Sequence, residues 1–578
     1  MSDYTVKQAS LSRVPCSLVV MTIDKCSLTY GTAPCTATAA DKCYNTFPTC
    51  RDRANYARTT QDLKFTSHEA PLPFKAGERP YVRKVDYLPT EIKTALSVRG
   101  RAKVEMVDEP DADVGVDPYL SDRTTVPVAS YWKKFLARNG NFKGRPLKIY
   151  DGFIGLTEND FTTEGKRFTG KIDNMALSRG RVSIEAVDLL ASLSDVSIPE
   201  KLNIKLATDI AIDATQATLS GDDVSSLDAA PGYVRIDDEL IKYDHITYGT
   251  KIISSLTRGA FGTTAATHNE NGKVQKCRYY AADNPFDTML TILDDGGIAV
   301  GDIDATAFTF AKDFDGDQNV AAVISEPVKA SDLFFELVGL MNCKAWVSED
   351  LKITIARDIP NHPDWTYSTL TDAENLIQDS ASVDLNQKSL LTRVSIYWQK
   401  DPTGDEEKVT TFARLNVAVD TDAEGASEYD QESEKVIYSR WLDSTLGAED
   451  AYLEWVAALA ARIMWPHRDP MPILEVDVEI KDSSILTGDV LHVSTDELCD
   501  RYGNDFDVVS FQVIKREKND DSVITLKLLR LTPKRILFIT PDDAPDYADA
   551  TETQREQYGY ISDDNGQMAD GKDGYVIF

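Results

Sequence analysis

The chain has 578 residues, 42% hydrophobic and 9% aromatic, which is enough apolar material for several cores and excludes a wholly disordered polymer. Its 62 Lys and Arg against 94 Asp and Glu give a net charge of −32, which argues against a protein that as a whole binds nucleic acid or anionic membrane. At about 150 residues per domain, the length implies about three to five domains.

The charge is uneven. Residues 1–150 hold 23 Lys and Arg against 16 Asp and Glu, while the remaining 428 hold 39 against 78. The last 38 residues, from Pro541, hold 2 against 10. A solvated surface with an acidic tail accounts for this, and so does a molecule whose two ends meet different partners. A strongly acidic wall would also let DNA slide past without sticking.

At the N-terminus, Asp3, Lys7 and Arg13 precede only the short apolar run Ser17 to Ile23, so no signal peptide is expected. The best apolar stretch, Tyr452 to Trp465, is interrupted by Glu454 and Arg462 and is too short for a membrane span. Synthesis in a reducing cytoplasm is the expectation, and there clustered cysteines more often mean metal or redox chemistry than disulfides.

The predicted elements are mostly short strands. Residues 14–20, around Cys16, read as a buried strand. Residues 102–108, 182–188 and 474–480 alternate apolar and charged side chains, the period of a strand with one buried face. Residues 506–516 and 522–530 flank Lys518-Asn519-Asp520-Asp521 and read as a hairpin. Three helices are expected. One spans 285–293, with Pro285 at its start and Gly296-Gly297 after its end. The second spans 331–341, with Ser331 as its cap. The longest spans 449–464 and stops before Pro466.

This pattern predicts a multidomain, mainly β chain with some α+β. A cysteine-rich segment spans 1–85 and a strand-rich domain 86–200. A middle region spans 201–385, with a small Gly-rich module at 230–275 and an α+β unit at 283–358. A second strand-rich domain, with the long helix inside it, spans 386–535. An acidic, extended tail spans 536–578.

Five of the eight cysteines, Cys16, Cys26, Cys35, Cys43 and Cys50, fall within one short stretch. Cys277, Cys343 and Cys499 are isolated and read as small core residues. The spacing Cys26-x8-Cys35-x7-Cys43-x6-Cys50 is not the CxxC pairing of zinc ribbons, and the nearest histidine is His68. Four thiolates converging from a loop-rich segment suit a tetrahedral soft metal or an iron–sulfur cluster. Lys25, Lys42 and Arg51 stand next to ligand candidates, where positive charge favours thiolate. Disulfides and simple packing remain open on spacing alone.

Other chemistry is sparse. The six histidines are scattered, and no HExxH, GxSxG or Walker A motif appears, so an enzyme is not expected. Asp313, Asp315 and Asp317 form a carboxylate run that could hold calcium. Its glycine is misplaced for an EF-hand, and a solvated turn explains it more simply. Arg258-Gly259 to Gly262 with His268 has the residues of an anion site, but tight-turn glycines between strands explain it too.

The segment Cys26-Ser27-Leu28-Thr29-Tyr30-Gly31-Thr32-Ala33-Pro34-Cys35, followed by Lys42-Cys43 through Pro48-Thr49-Cys50, resembles tail-hub proteins of long-tailed bacteriophages and gene-transfer agents. Its framing is similar to the iron–sulfur motif of lambda-type minor tail-tip proteins, although there the motif closes the C-terminal part and here it opens the chain. Arg99 to Val104, Asp108 to Asp113, Asp117-Pro118-Tyr119 with Arg123, and Tyr131 to Asn139 resemble the first hub domain. Gly232 to Glu239 and Thr257 to His268 resemble a module common in phage tail-tip proteins. Leu486 to Val490 and the following hairpin resemble the second hub barrel.

The resemblance implies two related hub β-barrels per chain and a homotrimer whose six barrels meet a sixfold distal tail ring, with a central fibre or spike on the other side. It implies a virion tail-tip protein, assembled in the host cytoplasm, that lines the exit channel for phage DNA without specific binding. Other tail-tip proteins and the tape measure protein are further candidate partners. Carried over by position, the ligands of a [4Fe-4S] cluster would be Cys26, Cys35, Cys43 and Cys50, with Cys16 left as an extra or bystander thiol. The alternative is a soluble iron–sulfur or zinc-binding redox protein.

Overall fold

The computed structural model describes residues 2–10, 12–67, 78–88, 91–92, 100–125, 128–315, 318–348, 350–357, 367–405, 408–425, 428–443, 449–482, 484–499, 503–518, 523–531, 545 and 549–551. His68, the turn at 519–521 and nearly all of the acidic tail lie outside them.

Seven strands make the first barrel: β1 (Pro15–Cys26), β2 (Arg58–Ser67), β3 (Arg79–Leu88), β4 (Arg101–Val107), β5 (Pro146–Phe153), β6 (Lys166–Ser178) and β7 (Arg181–Asp188). They close in the order β1-β2-β3-β4-β7-β6-β5, with β1 bonded to both β2 and β5. Alternation selects the inward face. Ala102, Val104 and Met106 of β4 are buried, and the residues between them are more exposed. The core is completed by α1 (Tyr131–Arg138), which lies in the β4–β5 connection. Trp132 is fully buried, its ring 5.1 Å from that of Phe65. The expected boundary at 85/86 therefore falls inside the barrel. Cys16 lies within β1, and the other four cysteines run from the last residue of β1 through the β1–β2 connection. They do not form a separate segment, because β1 and β2 are needed to close the ring.

The Gly-rich module is larger than expected. Strands Ile204–Leu206, Gln216–Ser220, Gly232–Ile236, Glu239–Thr247, Ile252–Thr257 and Lys273–Asp283 pair in a ring, closed where Gly232–Ile236 meets Lys273–Asp283. Three helices follow: α2 (Pro285–Asp295), α3 (Ala305–Asp315) and α4 (Ala330–Leu340). Asn284 caps α2 through its side chain, and Gly297 follows it at φ +76°. Ser331 is not the cap of α4. Lys329 holds that position, and the buried Ser331 hydroxyl accepts from Ser194 Oγ at 3.2 Å.

The long helix, α5 (Glu449–Met464), covers one face of a three-stranded sheet formed by Arg393–Lys400, Phe412–Val419 and Glu434–Tyr438. Trp398, Trp441, Val456, Leu459 and Ile463 share one core with Phe286, Leu333 and Phe334 of the helices before it. The region 393–464 thus packs with the α+β unit. It is an insertion into the second strand-rich domain expected at 386–535, and it is not part of that domain's core.

The second strand-rich domain, a six-stranded sheet, begins earlier than expected, at β8 (Ser368–Thr371) and β9 (Ser382–Asp384). It resumes at β10 (Ile473–Glu479), β11 (Val490–Cys499), β12 (Asp505–Lys518) and β13 (Val523–Arg530). Its order is β8-β11-β12-β13-β10-β9. The edge strands β8 and β9 are joined by residues 372–381, which begin with a turn in which Leu376 N donates to Thr371 O at 3.0 Å. One core, including Leu370, Val476, Val493, Phe511 and Leu526, fills it.

The first barrel and this second sheet share a five-strand unit. The order β3-β4-β7-β6-β5 recurs as β9-β10-β13-β12-β11, antiparallel at every step and with the same chain order. They differ in what flanks the unit: β1 and β2 close the first into a ring, whereas β8 adds a sixth strand beside β11 in the second. They also differ in where insertions enter. The two touch where Ile92 N donates to Ile514 O at 2.8 Å, and Ile92 packs with Trp346, Met471, Ile514 and Leu529. Among the described residues, no helix is long and apolar enough to cross a membrane.

Because Trp132 fills the first barrel from a connection, Trp132→Ala should cost about 3–5 kcal/mol. Urea unfolding of the variant, followed by circular dichroism, measures that loss.

Candidate metal centre

The four cysteines sit on residues 26–57, between the end of β1 and the start of β2. The segment is built from short turns. Cys26 N donates to Asn45 O at 2.7 Å, Cys35 N to Thr32 O at 2.9 Å, and Cys50 N to Phe47 O at 3.2 Å. Gly31 at φ +72° and Asn45 at φ +56° take the left-handed turns that such folding requires. Asp52 accepts from the Thr36 backbone at 2.7 Å and from the Thr36 hydroxyl at 2.9 Å. These bonds and those from Asn55 lower its pKa.

This folding brings Cys26, Cys35, Cys43 and Cys50 to the wall of one pocket, with Leu28, Tyr30 and Tyr56 beside them. All four are free thiols. Burial raises the Cys43 pKa and the bond to Asn45 lowers it, while Cys50, Cys26 and Cys35 raise it further. Cys50 Sγ accepts from Asp52 N at 3.4 Å. Among the described residues, no three His, Cys, Asp or Glu side chains are spaced to hold a metal ion.

Two observations bear on whether an iron–sulfur group fits. The donor set is four soft thiols, with the nearby Asp52 carboxylate turned to Thr36 and Asn55. The Tyr56 hydroxyl, on the same wall, is buried with no hydrogen-bond partner among the described residues. Burial, followed by the nearby Cys26, pushes its phenol up to about 12. Both features suit a sulfur-rich group in the pocket.

The segment is held to the barrel by a cationic clamp. Arg123 donates to Lys42 O at 2.6 Å and Cys43 O at 3.0 Å, and its Nε lies 2.8 Å from the fully buried Asp117 carboxylate. The Arg123 and Arg138 guanidiniums lie 4.1 and 3.6 Å from the Tyr44 ring centre. Of the cations expected beside the ligands, Lys42 pairs with Asp122 at 2.8 Å. Lys25 is buried and donates to Val116 O at 3.2 Å, and burial lowers its pKa. Sequence adjacency did not reveal the clamp. Its signal was the run Asp117-Pro118-Tyr119 with Arg123, read there only as part of a resemblance.

Other expected residues fall elsewhere. Cys16 lies on β1 among Tyr4, Leu18, Val20 and Phe153, outside the pocket wall, and burial pushes its thiol up to about 12. Cys277 and Cys343 are buried, but Cys499 is exposed at the end of β11, beyond the core of the second sheet. The expected calcium turn is not a turn over Asp313 and Asp315, because α3 runs through both, and Asp317 lies outside the described residues.

Arg258 does not form an anion site. It lies 2.8 Å from both oxygens of the buried Glu239, which also accepts from Gly259 N at 2.9 Å and Ala266 N at 3.0 Å. His268 stands 2.8 Å from Glu239 and 2.8 Å from Asp237. Burial would raise the Glu239 pKa, but the bonds from Arg258, His268 and the backbone hold it down at about 2.

No family model matches the chain, and no curated protein matches it. Among solved structures it is similar to the 43 kDa tail protein of prophage MuSo2 from Shewanella oneidensis, at 10% identity and a TM-score of 0.36 over 78% of this chain and 98% of that one. It is also similar to a tail protein from Neisseria meningitidis MC58, at 10% identity and a TM-score of 0.35 over 77% and 92%. A third similarity is to a chain of a native gene transfer agent virion, at 10% identity and a TM-score of 0.29 over 78% and 82%.

Removing one partner of the Glu239 pair leaves a buried charge, so Glu239→Ala should cost about 3–5 kcal/mol. The depressed pKa makes this stabilisation complete above the ordinary value of 4.5 and lost as pH falls towards about 2. Denaturant titrations of wild type and variant across that interval should converge.

Proposed function

We propose that this chain is a structural virion protein without enzymatic activity: the trimeric tail-tip or baseplate hub of a siphophage-like particle. The observation that carries the reading is the five-strand unit present twice in one chain. A sixfold tail ring and a threefold fibre or spike can be joined only by a part that presents both symmetries. Three copies of a chain with two similar five-strand units do so. The order of the sequence resemblances, from the cysteine motif through the second barrel, supports the same assignment. The net charge of −32 suits a wall past which DNA moves without binding.

In this reading Cys26, Cys35, Cys43 and Cys50 hold an iron–sulfur cluster, [4Fe-4S] by resemblance, and Cys16 is a bystander. When bound, the cluster supplies four strong cross-links to a segment with few apolar side chains of its own. The chain's own contribution is the turn geometry that presents the thiols and the Arg123 clamp that fixes them to the barrel.

Native mass measurement of the full chain should give a trimer, and quantitative mass spectrometry of purified particles should give three copies per tail. A monomer absent from particles would favour the redox alternative. Anaerobically purified wild type should carry iron and labile sulfide with visible charge-transfer absorbance, and Cys43→Ser should lose most of it. Wild type free of both iron and sulfide would remove the cluster.

A further inference from the structure

Within the cysteine pocket, one polar group is left unused by the loop. The side chain of Tyr56 lines the wall with Cys26, Cys35, Cys43 and Cys50. Its hydroxyl is buried and has no hydrogen-bond partner among the described residues. A buried donor left unpaired is costly, so such a group calls for an explanation.

Asp52, Asn45 and Thr46 on that wall are engaged, and Arg51 is exposed to solvent. Asp52 accepts from Thr36 and Asn55, and Asn45 Oδ1 accepts from the Cys43 thiol at 3.4 Å. Thr46 Oγ1 is bonded to Thr49 Oγ1 at 2.9 Å. The Tyr56 ring is also held in place. Phe47 meets it edge-on at 5.2 Å, and Tyr56 N donates to Arg53 O at 3.3 Å. A held ring with an unsatisfied donor shares the wall of this pocket with four thiols, whose sulfurs are its candidate acceptors.

We propose that Tyr56 is a positioning residue whose hydroxyl donates a hydrogen bond to a sulfur of the bound group, either a cysteine thiolate or an inorganic sulfide. The inference rests on the cluster reading above and deepens it. A hydrogen bond to sulfur draws electron density from the cluster and favours its more negative, reduced state. Tyr56 thereby raises the reduction potential. The same bond orients the loop around the four ligands.

The test uses the full-length chain reconstituted anaerobically with ferrous iron and sulfide. Tyr56→Phe removes the hydroxyl and keeps the ring against Phe47. The expected result is unchanged iron and sulfide content and a reduction potential more negative than that of wild type. A loaded variant with an unchanged potential overturns the proposal while leaving the cluster reading intact. If Tyr56→Phe fails to load, Tyr56→Trp, which restores an N–H donor, decides the matter. Loading restored by Trp supports the donor role, whereas failure of both variants assigns Tyr56 to packing and overturns it. Wild type that takes up neither iron nor sulfide ends both the cluster reading and this one.

Discussion

A five-strand antiparallel unit has two open edges, and the architecture follows from what each copy of that unit places beside them. Unpaired strand edges expose a row of backbone donors and acceptors and invite association with other chains. In the first copy, β1 and β2 fill the gap between β3 and β5. In the second, β8 pairs with β11 and covers that edge, while β9 stands at the other end of the sheet. The cysteine segment is a consequence of the first solution. β1 and β2 must run side by side, and residues 27–57 are the connection between them.

That connection has little apolar material with which to hold itself, and the barrel supplies what it lacks. The Asp117 carboxylate is fully buried beneath Arg123, and Asp113 is nearly so beneath Lys134 and Arg138. Buried ion pairs of this kind add little net stability over apolar packing, because desolvation offsets the attraction. Their value is directional. The planar Arg123 fork binds Asp117 and two loop carbonyls together, which fixes where Cys43 stands. Glu239 plays the corresponding part in the small barrel, where one carboxylate gathers Arg258, His268 and two backbone N–H groups.

Insertions enter the two copies at different connections. The first holds α1 between β4 and β5, and Trp132 turns that insertion into part of the core. The second holds residues 393–464 between β9 and β10, and these pack away from the sheet against α2 and α4. Similar five-strand units thus carry different surroundings. The first bears the cysteine loop and, through Leu189, Leu190 and Leu193 after β7, joins the central core, whereas the second has a core of its own.

Local features were legible in the sequence because their causes are local. Alternation of apolar and charged residues located β4, β7 and β10 to within a residue or so, since period two reports directly which face is buried. Residues 449–464 were read as a helix and are one, ended by Pro466, and the cysteine spacing marked out four side chains that do share a pocket. Periodicity says that a face is buried and not what buries it. Only the tertiary structure decided that β1 and β2 belong to the first barrel, that Arg258 serves Glu239, that Arg123 clamps the cysteine loop, and that α5 sits in the central core. Each of those depends on partners brought together from distant parts of the chain, where residue spacing carries no information about contact.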